Sequence, residues 1–176
     1  MNRIFLIGPM GSGKTTVGRH LARRLKMDFV DLDHEIQARC GVQVSVIFDI
    51  EGEAGFRRRE SELLDELTQR DHIILATGGG SVINPDNRRM LSERGLVVYL
   101  RTSVDQQLNR LERDKQRPLL QAPNRRQRLR DMAENRNPVY EGCADLIVPS
   151  DNVSPITMAG RVEHMIRQHL DREQVS

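Results

Sequence analysis

The sequence predicts an α/β fold, a parallel β-sheet with helices packed on both faces. Short apolar runs alternate with amphipathic stretches almost to the end of the chain, the pattern that successive βαβ units produce. Most of the runs are dense in Ile, Leu and Val, as strands buried on both faces require. Distinctive glycine-rich or acidic segments follow the first three runs, at the carboxyl ends of strands where ligands sit in such sheets.

Residues 3–7 (RIFLI) are the first strand candidate, and residues 14–26 have apolar side chains at helical spacing through Val17, Leu21 and Leu25. Between them lies Gly8–Thr15, GPMGSGKT. Strand, glycine-rich turn and helix form the context a phosphate-binding P-loop needs. Gly11, Ser12 and Gly13 let consecutive backbone N–H groups converge on phosphate oxygens, and the helix start at Thr15 and Thr16 adds its partial positive charge. Lys14 is placed to reach the β- and γ-phosphates, and the Thr15 hydroxyl to ligate Mg²⁺. The chain is therefore expected to bind a nucleoside triphosphate with magnesium.

The second strand, 28–31, ends in Asp31-Leu32-Asp33, and a helix is expected over 34–40. Asp31 could hold a water of the magnesium shell, and Asp33 could orient a substrate hydroxyl and accept its proton. Asp33 could equally cap the helix starting near His34. Residues 41–56 read as a glycine-punctuated insertion, followed by a helix over 57–70 whose first turn carries Arg57, Arg58 and Arg59. Cations there oppose the helix macrodipole by ~0.3–1 kcal/mol each, so an anionic ligand is a natural compensation. Pairing with Glu60 and Glu62 is the alternative, and only one of the three is expected to reach a pocket.

The third strand, 72–76, leads into Thr77-Gly78-Gly79-Gly80-Ser81. Consecutive glycines cost conformational entropy, which is understandable if a ligand lies against bare backbone; a flexible turn is the plainer reading. A helix over 85–94, a strand over 96–100 and a helix over 103–112 follow. Residues 112–124, ERDKQRPLLQAPN, lack a regular period and read as a lid, with Arg117 able to neutralise charge on a transferring phosphoryl group. The next helix, 125–135, is expected to stop ahead of Pro138, which disfavours helix at Asn137 and would let Arg136 turn inward. A last strand at 145–148 and a helix at 155–170 complete the pattern, with Asp171–Ser176 frayed.

Bulk properties narrow the partners. The 176 residues suit a single domain with a real core. A formal charge of only +2 provides no general pull toward nucleic acid or membrane. The absence of Trp leaves few stacking platforms for single strands. Cys40 and Cys143 have no metal-ligand spacing and read as reduced thiols of a cytoplasmic protein. No apolar run approaches a membrane span.

Taken in order, GPMGSGKT, DLD, FRRRE, ATGGGSV, RPLL and RNPVY closely resemble the shikimate kinase family, from about Arg3 to Val148. The resemblance implies a three-layer P-loop kinase fold with a five-stranded parallel sheet, a substrate-binding insertion (about 33–60) and a lid (about 112–124), in a monomer. It implies ATP- and Mg²⁺-dependent phosphorylation of the 3-hydroxyl of shikimate, a step toward chorismate and the aromatic amino acids. By the same resemblance Asp33 binds shikimate hydroxyls, Arg57 and Arg136 clamp its carboxylate, and Gly79 with Gly80 offers backbone contacts. Lys14 and Arg117 flank the transferred phosphoryl group, Thr15 ligates Mg²⁺, and Arg110 packs on adenine. Val153, within a stretch lining the far side of the adenine, stands where some relatives place a polar residue.

Two rivals share the architecture. A gluconate kinase would present a similar P-loop and an anionic polyol, and a nucleoside monophosphate kinase would need a base-recognising pocket. A nucleotide-dependent switch is the rival of another class, but the chain has no Asn-Lys-x-Asp run for guanine. A catalytically silent ATP-binding module would bind ATP without acceptor-dependent ADP release.

Overall fold

The structure, a computed structural model, describes residues 2–113, 123–150 and 152–175. Five strands form one parallel sheet: β1 (Arg3–Ile7), β2 (Asp28–Asp31), β3 (Ile73–Ala76), β4 (Leu96–Arg101) and β5 (Leu146–Pro149), in the order β2-β3-β1-β4-β5. Phe5 of β1 pairs with Leu75 on one side and Val97 on the other. The chain builds one half of the sheet through β2 and β3 and the other through β4 and β5. The carboxyl end of β1 is thus the point where strand order reverses, and crevices open there in sheets of this kind.

Strand pleating sorts the core into two layers. Phe5, Ile7, Leu75, Val97 and Tyr99 face one way, into a cluster with Leu32, Ile36, Phe56, Leu64, Leu91 and Tyr140. These come from α2 (Leu32–Cys40), α3 (Val44–Leu67), α4 (Pro85–Arg94) and α6 (Arg125–Cys143). Ile4, Leu6, Ile74, Val98 and Leu100 face the other way, onto α1 (Lys14–Leu25) and α7 (Pro155–Val175) through Val17, Leu21, Met158 and Val162. A short α5 (Val104–Leu111), started by a capping box of Ser103 and Gln106, sits beside the carboxyl edge of the sheet.

Several helix boundaries differ from expectation. The insertion is not irregular: α3 begins at Val44, with a break at Gly52, whose φ of 71° lies in the left-handed region open to glycine. Val44, Ile47 and Phe48 have helical spacing and pack on the core, so burial overrode the glycine punctuation. Arg57 consequently lies inside α3 and not in a first turn. At the other end, α6 runs through Pro138 to Cys143. Proline forfeits one backbone bond and costs ~3 kcal/mol in a helix interior. Burial of Tyr140 and Cys143 beyond it offsets that cost, because a large aromatic contributes on a similar scale. α2 begins at Leu32, with Asp31 and not Asp33 as its cap, accepting from the His34 N–H at 3.0 Å. Finally, α7 continues to Val175, past the expected fray.

Candidate active site

The P-loop closes over its own lysine. Gly11 and Gly13 adopt φ of 77° and 88°, and the loop turns sharply enough for Ser12 N–H to donate back to the Pro9 carbonyl at 3.2 Å. Lys14, the first residue of α1, is almost fully buried. Its ammonium donates to the Gly8 carbonyl at 2.7 Å and the Pro9 carbonyl at 2.9 Å, which holds the charge at the centre of the loop. Thr15 and Thr16 follow in the first turn of α1, where unpaired N–H groups and the helix dipole favour an anion.

The Thr15 hydroxyl donates to an Asp31 carboxylate oxygen across the gap between α1 and β2. A hydroxyl and a carboxylate at one point are the hard oxygen donors that Mg²⁺ takes, and that ion keeps several waters and needs no all-protein cage. The donor set therefore fits magnesium bound beside a phosphate. Asp31 uses its other oxygen to cap α2, so its orientation is set from two sides.

The acceptor side is organised around Gly78–Gly80. A methyl group built on Gly78 would stand 3.0 Å from an Asp33 carboxylate oxygen and 2.9 Å from one of Glu60. One built on Gly80 would meet the Arg57 guanidinium at 2.3 Å, and one on Gly79 would lie 3.8 Å from that of Arg136 and 3.4 Å from the Met10 nitrogen of the P-loop. Glycine is needed here for close approach: side chains from α2, α3 and α6 press onto bare backbone that in turn abuts the phosphate loop. Asp33, Arg57, Gly79, Gly80, Arg136 and the P-loop, far apart in sequence, are neighbours.

Three further residues organise this cluster, and sequence reasoning gave none of them a role in the site. Glu60, 1% exposed, accepts from Arg57 at 2.8 Å and from the Ser81 hydroxyl at 2.8 Å. Ser81 in turn accepts from the Gly78 N–H at 3.0 Å, so an unbroken chain of bonds ties the arginine to the glycine loop. Tyr140 donates to the Gly79 carbonyl. A glutamate three residues after an arginine, spaced for one helix face, was the available signal for Glu60. Tyr140 lay beyond the expected end of α6.

Arg57 also contacts Glu53 at 3.6 Å and lies over the Phe56 ring, 5.3 Å from its centroid. Phe56 stacks on Phe48 at 4.7 Å, so the insertion helix walls this side of the cluster. Of its neighbours, Arg59 reaches away to a bidentate pair with Glu51 at 2.6 and 2.8 Å, which agrees with one arginine of the three entering the site.

On the opposite flank, Arg110 of α5 donates to the Gly11 carbonyl and the Ser150 hydroxyl, each at 2.9 Å. Burial lowers its pKa from the ordinary arginine value. It bridges the P-loop to the end of β5, while Val153 is half-buried against the layer of α1 and α7. Arg117 and most of the expected lid fall outside the described residues, as does Asp151.

The geometry is that of an anion-binding loop beside a cluster of two guanidinium groups and a carboxylate. The shikimate kinase family model matches residues 10–170. The chain is 50% identical over 167 residues to the shikimate kinase of Vibrio cholerae, covering 95% of this chain and 96% of that one. It is 54% identical over 164 residues to that of Pasteurella multocida, covering 93% and 94%. The solved structure of shikimate kinase from Acinetobacter baumannii in complex with shikimate superposes with a TM-score of 0.93 at 46% identity, over 96% of this chain and 94% of that one. Motifs, fold and relatives agree, and the chain belongs to the shikimate kinase family, whose reaction is ATP-dependent phosphorylation of shikimate.

Proposed function

We propose that this chain transfers the γ-phosphoryl group of ATP to the 3-hydroxyl of shikimate, with the P-loop holding the nucleotide and the Gly78–Gly80 cluster holding the acceptor. One observation carries the division of labour: Asp33, Arg57 and Arg136 reach the same three-residue backbone segment, which itself abuts Met10 of the P-loop. A small carboxylate bearing several hydroxyls is what two guanidinium groups and one carboxylate would recognise.

In this reading Arg57 and Arg136 bind the acceptor carboxylate, and Gly79 and Gly80 lie against its ring. Asp33 holds the 3-hydroxyl and takes its proton as the hydroxyl oxygen bonds to the γ-phosphorus and the bond to the bridging oxygen of ADP breaks. Little covalent help is needed in such a transfer, so positioning and charge stabilisation dominate. Gly11, Ser12, Gly13, Lys14, Thr15 and Thr16 bind the phosphates, and Lys14 balances the charge that shifts toward ADP. Thr15, with Asp31 beside it, holds magnesium, which when bound neutralises the β- and γ-phosphate oxygens. Arg117 approaches the same oxygens from the lid, and Arg110 and Val153 flank the adenine.

The chain acts as a single-domain monomer in the cytoplasm, with residues 33–60 as its substrate-binding insertion and 112–124 as its lid. Unpaired Cys40 and Cys143 suit a reducing compartment, and among the described residues no helix is long and apolar enough to cross a membrane. Sedimentation at micromolar concentration tests the monomer. The functional reading is tested by ADP release with Mg·ATP and shikimate, gluconate or a nucleoside monophosphate as acceptor. Turnover with shikimate alone is expected; turnover with another acceptor and not shikimate overturns the reading.

A further inference from the structure

Tyr140 has more polar and aromatic contacts than its place in the core requires. It is 1% exposed, one helical turn beyond Arg136 on α6, so the two side chains share a face. Its ring stacks on Tyr99 of β4, with centroids 5.1 Å apart and planes 26° from parallel. Tyr99 turns its own hydroxyl toward Asn137 of α6 at 3.5 Å. The stack leaves the Tyr140 ring little rotational freedom and aims its hydroxyl at the glycine loop.

That hydroxyl has two polar neighbours. It donates to the Gly79 carbonyl, and the Arg136 guanidinium lies near enough to favour negative charge on its oxygen. A phenol can donate once and accept as well, so the oxygen that donates to the loop also presents lone pairs for the guanidinium. The Gly79 carbonyl belongs to the planar unit that also contains the Gly80 N–H, and in a trans peptide the two point in opposite directions. Fixing one fixes the other. With glycine at 78, 79 and 80, no side chain restrains this peptide from within the loop. The Glu60–Ser81 chain secures only its near end, at the Gly78 N–H.

We propose that Tyr140 is a positioning residue for the acceptor, whose hydroxyl holds the Gly79–Gly80 peptide and the Arg136 guanidinium in one fixed relation. This rests on the reading that Arg136 and the glycine loop meet shikimate. The Tyr99 ring braces Tyr140 from behind and takes no direct part. Burial pushes the Tyr140 hydroxyl pKa up to about 12, so it remains a donor throughout the range in which such an enzyme is assayed.

Tyr140→Phe keeps the ring and the stack and removes only the hydroxyl. The shikimate KM is expected to rise about tenfold, the scale of one lost hydrogen bond to a charged or loop-fixing partner. The kcat and the KM for ATP should stay within about twofold, and Tyr99→Phe should leave all three in place. A residue needed only for the core would lower thermal stability and change all constants together or none. An unchanged shikimate KM in Tyr140→Phe, or an equal loss in the ATP KM, overturns the proposal.

Arg136→Ala measured in parallel separates the two layers of inference. If it binds shikimate normally, the carboxylate clamp itself is wrong. If it binds weakly while Tyr140→Phe does not, only the positioning role falls. A second readout needs no substitution at 140. The chain has two tyrosines, so protein grown on 3-fluorotyrosine gives two fluorine resonances, assigned through Tyr99→Phe. The Tyr140 resonance should move on adding shikimate and remain in place with a non-hydrolysable ATP analogue. A resonance indifferent to saturating shikimate refutes the role even if the phenylalanine variant does not fold.

Discussion

Replacing Gly80 with alanine tests the acceptor pocket through its packing. Gly80 has φ −100° and ψ 2°, a conformation open to L-residues, so the backbone itself does not resist the substitution. The added methyl would stand 2.3 Å from one terminal nitrogen of Arg57, 2.7 Å from the other and 2.8 Å from the central carbon. Ordinary contact needs roughly 3.4 Å or more, so the guanidinium must retreat by about 1 Å. It cannot do so freely, because it is bonded to Glu60 at 2.8 Å and rests over Phe56. Glu60 is buried and, among the described residues, keeps its hydrogen bond to Ser81 if Arg57 leaves, which costs about 1–3 kcal/mol for a weakened buried partner. An ångström of misplacement in a positioning group costs up to about 100-fold. The expected result is therefore a 10- to 100-fold loss of shikimate affinity, or about 1.4–2.7 kcal/mol. ATP affinity should be unaltered, because the Arg57 guanidinium is held by Glu60 and Glu53 of its own helix and not by the phosphate loop's hydrogen bonds. Titration calorimetry with each ligand decides it. Shikimate affinity within twofold of the parent would mean that Arg57 does not bind the acceptor from its observed position.

Four further outcomes are expected. Arg57→Ala and Arg136→Ala should each weaken shikimate binding by about 2–4 kcal/mol, the scale for removing one charged hydrogen-bonding partner from a buried pair; normal affinity in both would remove the clamp. Lys14→Ala should collapse kcat while shikimate affinity measured without nucleotide is kept, and normal turnover would contradict the phosphate role. Gly18→Ala should destabilise the fold by about 1–3 kcal/mol through overpacking, since its methyl would meet Phe29 at 2.5 Å and Leu6 at 3.0 Å; an unshifted Tm would refute the packing argument. Alkaline stability should depend on Tyr140, whose pKa is raised to about 12 by burial. A raised folded-state pKa stabilises below the unfolded value near 10 and is lost as pH climbs toward 12, about 2–3 kcal/mol in all. Denaturant titrations at pH 9 and pH 11.5 should show that loss, and its persistence in Tyr140→Phe would assign it elsewhere.

The strands and the P-loop were legible because their signals are local. A buried strand announces itself by apolar density, and GPMGSGKT by glycines, lysine and threonine at set spacing between a strand and a helix. All five strands fall within a residue of their expected bounds. The helical insertion and the passage of α6 through Pro138 were not legible, because each is decided by burial against elements distant in sequence. Ile47 joins the buried cluster that also holds Leu75 of β3 and Tyr99 of β4, and Tyr140 stacks on Tyr99.

The sequence by itself therefore determined the parallel α/β architecture, the phosphate loop and, through its motif order, the family and the residues to watch. Tertiary structure alone decided how Arg57 is held, that Asp31 and not Asp33 caps α2, and that Glu60, Ser81 and Tyr140 secure the glycine loop. The physical reason is range. Propensity and motif chemistry act over a few residues, whereas a buried carboxylate or hydroxyl finds its partner only when the sheet has brought α3, α6 and the loop after β3 together.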